Sequence, residues 1–363
     1  MGTVTRIQYV DRTWTGFRGC EHARLADGTE HPGCANCFAE RMAKRNPAVL
    51  GEWGPDGTRV LAAPAYWRQP LAWDRAAGKR IAAAEARARS VRFGTAPAEA
   101  LLPSSIRANA EAMRRDRVLW DLSDLFEDWQ GRIHDSNGSR LFRVGDRVVA
   151  ESEHDAQYGK GSRLLTLDDV RRDVFALIDA TLNLTWIVPT KRPQNIRGML
   201  YGAKSKLETA PKHPAGTPEA NIWHRPNVWL GCSASTQADL DTTLPHLLAC
   251  RDLSPVLFLS LEPLLEEITL PPGWNGPRRQ ADGCDHHWAQ PFIDWVIIGC
   301  EQLAGHRPGR FADGYAAAAE SVIVQCREAG IPVFHKQMPI GNRVSGDPTE
   351  WPEYLRVREF PNG

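Results

Sequence analysis

Short apolar runs alternate with longer amphipathic stretches through most of this chain. Runs rich in β-branched, aliphatic and aromatic residues occupy 5–10, 117–120, 184–188, 227–231, 255–260, 293–298 and 331–334. Most lack the polar alternation of a half-exposed strand, so they are expected to be buried on both faces. Between them, 38–45, 81–92, 167–180, 193–201, 237–251 and 313–329 carry helical spacing. Thr166 stands where an N-cap belongs, with Asp168 and Asp169 in the turn behind it. Asn46-Pro47 ends the first helix. Strand and helix in alternation predict a parallel sheet covered by helices. Seven strands suit an α/β fold of the partial or complete (β/α) TIM-like barrel kind better than an open doubly wound sheet. The chain reads as one domain over 1–363, with insertions at about 48–115, 131–163, 202–226 and 271–292. The first of these, Gly-, Pro- and Trp-rich over 48–80, is expected to be loop-rich with a short helix.

Composition narrows the classes. Hydrophobic residues make up 42% and charged residues 24%, a globular balance. Lys+Arg and Asp+Glu each total 44, so any nucleic-acid contact must come from a local patch. No apolar run reaches the roughly 18 residues that span a bilayer, and Met1–Arg6 contains no apolar signal segment. A cytoplasmic location with reduced cysteines and no membrane partner is therefore expected. Neither a G-x-G-x-x-G nor a Walker A motif is present, which removes the usual dinucleotide and P-loop readings.

The densest chemistry follows the first strand. Cys20, Cys34 and Cys37 lie within eighteen residues, the last pair two residues apart. Three thiols together point to a metal, a cluster or a redox role. A closed zinc site wants four protein ligands, and His22 or His31 is the available fourth. Three thiolates alone can hold a cubane cluster and leave one iron open. Polar groups recur where the other strands end: Ser123 and Asp124, Lys191 and Arg192, Ser233 and Ser235, Glu262, Gly299 with Glu301, and Lys336. In a barrel those positions share one mouth. Glu262, Lys191 and Lys336 are the candidate catalytic side chains; Ser123, Asp124, Gly299 and Glu301 are the candidate cofactor contacts. Cys284, His286 and His287 form a second, weaker metal candidate, and Cys232, Cys250, Cys300 and Cys326 read as small buried residues.

Gly19-Cys20, Pro32-Gly33-Cys34-Ala35-Asn36-Cys37 and the following Phe38-Ala39-Glu40-Arg41-Met42 resemble the opening of a phage protein family of unknown function related to radical S-adenosylmethionine enzymes. The match continues through Ser123–Phe126, Thr190–Pro193, Asn227–Gly231, Ser260–Leu265, Asp294–Gly299 and Phe334–Gln337, in order over most of the chain. The chain departs from that pattern at Cys300, where Gly is common, and at Phe38, where Tyr is. Its first cysteine gap is also longer than the usual C-x3-C-x2-C.

The resemblance implies a barrel of the radical SAM type, with a 4Fe–4S cluster on Cys20, Cys34 and Cys37. It also implies S-adenosyl-L-methionine at the open iron and an external electron donor of the flavodoxin or ferredoxin type. By analogy the substrate is a modified thymine in phage DNA, within the host cytoplasm. An example would be an amino-acid-substituted thymidine, such as glycyl-thymidine, isomerised from N-linked to C-linked. Trp53, Trp67, Trp73, Arg87, Arg89 and Arg92 are the groups expected to stack or steer a flipped base. A lesion, a tRNA base or a small metabolite are the alternatives within that chemistry, and a non-catalytic zinc-stabilised nucleic-acid-binding protein is the alternative outside it.

Overall fold

The computed structural model describes residues 5, 7–157, 161–202, 225–271, 274, 292–301 and 312–361. Eight strands form one sheet in which sequence order is spatial order. They are β1 (Arg12–Thr13), β2 (Asp116–Leu119), β3 (Leu184–Thr190), β4 (Val228–Ser233), β5 (Val256–Leu261), β6 (Trp295–Gly299), β7 (Val333–Ile340) and β8 (Arg343–Ser345). The first seven are parallel and β8 returns antiparallel along the edge. The sheet curls into a half-barrel. The α/β partial-barrel expectation therefore holds at that level.

Period-two alternation sorts each strand between two cores. Outward residues such as Trp186, Leu230, Leu257 and Val296 join the large core beneath the helices. Inward residues build a separate aromatic cluster with Trp295 at its centre. Its ring lies 5.8 Å from Tyr9, 5.8 Å from Trp229, 5.9 Å from Phe258 and 6.4 Å from Phe334, mostly edge-on. The C-terminal segment closes over this cluster, with Phe360 against Trp295 and Glu359 O accepting from the Trp295 indole at 2.9 Å.

The helices α1 (Phe38–Arg45), α2 (Gln69–Arg92), α3 (Pro103–Met113), α4 (Leu167–Asp179), α5 (Pro193–Gly202), α6 (Gln237–Leu248) and α7 (Ala312–Ala329) complete the frame. Thr166 caps α4 through a capping box with Asp169, as its position predicts, and Thr236 with Asp239 does the same for α6.

Three expectations need correction. The first strand is not 5–10: residues 7–10 turn back on themselves, Val10 N donating to Ile7 O, and β1 lies at Arg12–Thr13. Tyr9 and Val10 look strand-like because they are apolar, yet that character serves the inner cluster. The 48–115 insertion is mainly helical, since α2 starts at Gln69 and runs 24 residues. Pro70 in the first turn and Trp73, Ala77 and Ala84 on one buried stripe explain the early start. Within 131–163 sits a small antiparallel sheet of Leu141–Val144, Arg147–Ala150 and Ser162–Leu164 rather than bare loop. The expected loops at 202–226 and 271–292 fall largely outside the described residues, as do Cys284, His286 and His287.

Two outcomes follow. A methyl group on Gly231 of β4 would stand 2.4 Å from the Phe258 ring, so Gly231→Ala should cost about 1–3 kcal/mol of unfolding free energy in a denaturant titration. His335 is fully buried, and burial lowers its pKa from 6.5 to about 4. The unfolded chain takes up that proton first, so stability is full above pH 6.5 and declines as pH falls toward 4. Between those values the loss from this group should be about 1.4 kcal/mol per pH unit, and His335→Gln should remove that share of the slope.

Candidate active site

The cysteine loop is anchored from behind by a buried ion pair. After β1 the chain pairs Phe17–Arg18 with Arg59–Leu61 and turns at Gly19. Gly19 has φ +97°, and a Cβ there would lie 2.3 Å from Thr58 O, so only glycine makes this turn. Arg59 donates to both oxygens of Glu127, at 2.8 and 2.7 Å, with the Trp129 ring 4.4 Å from the guanidinium. Glu127 also accepts from the Glu21 backbone, one residue beyond Cys20.

The second half of the loop hangs on His31. Its Nδ1 accepts from Gly33 N–H at 3.0 Å, while Nε2 lies 3.2 Å from Ser233 O and 3.3 Å from Asp239 Oδ2. Burial pushes its pKa down to about 3, so the ring is neutral. Cys34 ends the short turn that His31 caps, and Cys37 stands at the N-cap of α1.

The three cysteines line one cavity of about 360 Å³ at the carboxyl ends of the strands. Every predicted catalytic residue reaches it: Lys191 from β3, Glu262 from β5 and Lys336 from β7. Burial opposes the Lys191 ammonium, yet Cys34, Cys37, Asp124 and Cys20 together raise its pKa. One cation thus feels all three thiols. Arg192 adds a second, its Nη1 3.9 Å from Cys20 Sγ. Burial, with Glu127 adding to it, holds the Cys20 thiol well above its ordinary value against Arg192; burial raises Cys34 against Lys191.

Lys336 Nζ stands 2.8 Å from Glu262 Oε1, out of line for a hydrogen bond, so that buried oxygen has an ion-pair neighbour but no donor. Ser260 Oγ donates to the other oxygen at 3.2 Å. A Cβ on Gly299 would come within 2.8 Å of Glu262 Oε1. The missing side chain therefore admits Glu262, in place of the close ligand approach expected of Gly299.

The remaining cofactor candidates, Ser123, Asp124 and Glu301, line the same cavity and also tie its walls together. Asp124 accepts from Phe126 N and Thr190 Oγ1 on one oxygen and from Lys191 N and Arg192 Nη1 on the other. Ser123 Oγ donates to Phe17 O. Glu301 accepts from Asn36 Nδ2 at 3.0 Å, tying β6 to the loop between Cys34 and Cys37. Sequence reasoning missed Asn36, although its place inside Cys-x-x-Cys was a signal. It also missed Ser260 and Cys300 as cavity residues. Neither histidine offered as a zinc ligand has an unengaged nitrogen: His22 spans Glu30 at 3.0 Å and Glu40 at 3.1 Å. Of the tryptophans expected to stack a base, only Trp53 lines the cavity; Trp73 is core and Trp67 packs edge-on to Trp14. Arg87 and Arg89 bind Asn109 and Glu85 on the insertion helices.

A model of a family of proteins of unknown function, DUF5131, matches residues 4–144 and 165–346. The chain belongs to that family. The cavity residues named above all fall within the matched stretches, and the skipped segment, 145–164, includes two strands of the small antiparallel sheet, Arg147–Ala150 and Ser162–Leu164. No curated protein and no solved structure matches the DUF5131 chain. Among its described residues no helix is long and apolar enough to cross a membrane.

Because Lys191 favours the Cys34 thiolate, Lys191→Met should move alkylation of Cys34 to higher pH. Peptide mass spectrometry across a pH series reads this directly; an unchanged profile would show that the ammonium does not act on the thiol.

Proposed function

We propose that this protein is a radical S-adenosylmethionine enzyme whose 4Fe–4S cluster is held by Cys20, Cys34 and Cys37. The reading rests on one observation: three cysteines from a single loop meet at the carboxyl-end cavity of a parallel half-barrel. The donor set fits such a group. Lys191 and Arg192 offset thiolate charge, and the neighbouring imidazoles are occupied. Among the described residues no three His, Cys, Asp or Glu side chains converge on a single-ion site. A cubane, whose irons and sulfides stand between the thiolates, does not require that convergence.

Held by Cys20, Cys34 and Cys37, such a cluster would supply the one-electron reduction by which S-adenosylmethionine is split, with methionine released, for hydrogen abstraction from a substrate. The chain's own groups bind and position. Glu262 Oε1 is an unused acceptor suited to an ammonium or hydroxyl group. Lys336 holds that carboxylate in place and offers charge to an anionic group. Tyr9, at the cavity floor, backs onto the Trp295 cluster and keeps water from that side. The Asn36–Glu301 bond fixes the loop against β6.

The substrate we favour is a nucleobase, taken as a modified thymine in DNA whose amino-acid substituent is rearranged. A DNA lesion or a tRNA base would use the same machinery. Mass spectrometry of nucleosides from DNA and tRNA, with active and Cys34→Ala protein, separates the three.

Anaerobic reconstitution should give brown protein with about four irons per chain, lost in Cys34→Ala. Glu262→Gln should keep the iron but lower release of 5′-deoxyadenosine roughly 10- to 100-fold, the usual worth of a charge-assisted hydrogen bond. Colourless protein with one zinc per chain would overturn the reading in favour of a zinc-stabilised binding protein.

A further inference from the structure

Charge is segregated on a chain that is neutral overall. Residues 68–115 hold ten Lys or Arg and four Asp or Glu, a surplus of six, against chain totals of 44 and 44. Much of it lies on α2. Trp73, Ala77 and Ala84 face the core from one side of that helix. At about 100° per residue, Arg68, Arg75, Lys79 and Arg89 fall within a narrow arc on the opposite side. The other positions on this arc are Ala82 and Ala86, both exposed, and Leu71, half-buried against the core at the start of the helix. The stripe spans 22 residues, about 31 Å at 1.5 Å per rise. Among the described residues Arg68, Arg75 and Lys79 have no anionic partner, and Arg89 has only Glu85 at 4.0 Å. Phe93, 72% exposed, continues the same face.

The stripe starts on the flank of the half-barrel, level with the carboxyl end of β2: Trp14 donates its amide to Leu119 O and its indole to Tyr66 O. Arg68 follows Tyr66 and Trp67, which pack on Arg18 and Trp14 next to the turn that leads to Cys20. From there α2 passes the foot of β3, where Asn183 N donates to Asp74, and continues beyond the sheet. A row of exposed cations on a rigid helix, running down the flank of the half-barrel from the level of the carboxyl ends of the strands past their amino ends, complements a chain of phosphates. Small residues between the cations let a backbone approach closely.

We infer that the α2 stripe is a docking surface for the phosphate backbone of a nucleic-acid polymer held along the flank of the half-barrel, so that a nucleobase substrate would belong to a polymer instead of a free nucleotide. The choice of a base as substrate rests on the function proposed above; the binding surface does not. Phosphate contacts fix position and carry no sequence information, so binding through α2 is independent of sequence and steeply dependent on salt.

The test uses the full chain without added iron, a fluorescent mixed-sequence DNA duplex longer than the stripe, and anisotropy at several salt concentrations. The triple variant Arg75→Gln, Lys79→Gln, Arg89→Gln keeps good helix formers on an exposed face, and circular dichroism checks that it folds. It should weaken binding at moderate salt by roughly a hundredfold and flatten the plot of log affinity against log salt by about 0.9 per cation removed. A control triple at exposed cations elsewhere, Arg24→Gln, Arg132→Gln, Arg327→Gln, should leave affinity within about twofold, as expected for charges that release no counterions from the bound DNA. Equal affinity for the wild type and the α2 triple, or equal loss in both triples, overturns the inference. So does stripe-dependent binding to anionic phospholipid vesicles with no binding to DNA, which would make α2 a membrane surface. Iron loading and 5′-deoxyadenosine release by the α2 triple report on the proposed chemistry separately, so either conclusion can fail alone.

Discussion

The site depends on a single buried carboxylate. Four donors end on Asp124: one from its own loop, one from the Thr190 hydroxyl, one from the Lys191 backbone and one from the Arg192 guanidinium. A carboxylate at 7% exposure is costly unless each lone pair is used. Using them here fixes the loop after β2 against the end of β3. Arg192 then reaches on to Glu21 O and to the vicinity of Cys20 Sγ. The cation that neutralises Asp124 is therefore also the one that places Cys20, while the neighbouring Lys191 is turned toward the thiols. The Arg59–Glu127 pair supports the same turn from below through the Glu21 amide. Losing one partner of such a buried pair typically costs about 3–5 kcal/mol, so folding and site geometry are tied to the same few charges.

Electrostatics around the thiols works in opposite directions. Burial raises both the Cys20 and the Cys34 thiol, with Glu127 and Asp124 adding to it at Cys20, while Arg192 at both and Lys191 at Cys34 favour the thiolates. A thiol must lose its proton to ligate a metal. The two cations lower that barrier without leaving uncompensated charge in an apolar wall. Both stand on consecutive residues after β3, where Asp124 binds their backbone amides or side chains. Through that connection Asp124, itself at the cavity wall, holds the two cations in place.

Much of this was legible in the residues themselves. Parallel strands announce themselves as apolar runs, because a strand covered on both faces tolerates little else. The polar residues at their ends share a mouth because all seven strands point the same way. Individual roles were less legible. Ser123, Asp124 and Gly299 sit where cofactor contacts would, yet their bonds go to Phe17, to the β3 loop and around Glu262. Sequence gives position along a strand but not which neighbour across the sheet claims a lone pair. Tyr9 and Val10 mislead in the same way: an apolar run adjacent to a sheet strand can serve as its plug. The Gly-, Pro- and Trp-rich content of 48–80 reads as loop, although Trp73 belongs to the buried stripe of α2.

The cavity itself has a simple physical origin. Inward positions near the amino ends of β4, β5 and β6 are Trp229, Val256 and Trp295, which fill the half-barrel with the Trp295 cluster. Toward the carboxyl ends the inward residues shrink to Ser233, Ser260 and Gly299, and the sheet no longer fills its own concavity. Small residues at the last inward position leave space that Cys34, Lys191 and Glu262 border without occupying. Enlarging Ser233 or Ser260 would close the cavity from the strand side while leaving the aromatic floor intact. The same reduction in side-chain size brings backbone and hydroxyl groups to the cavity wall, as the Ser260–Glu262 bond shows. A strand that runs from large apolar to small polar residues along its inner face therefore builds floor and opening in one element, and β4 and β5 do so here in register.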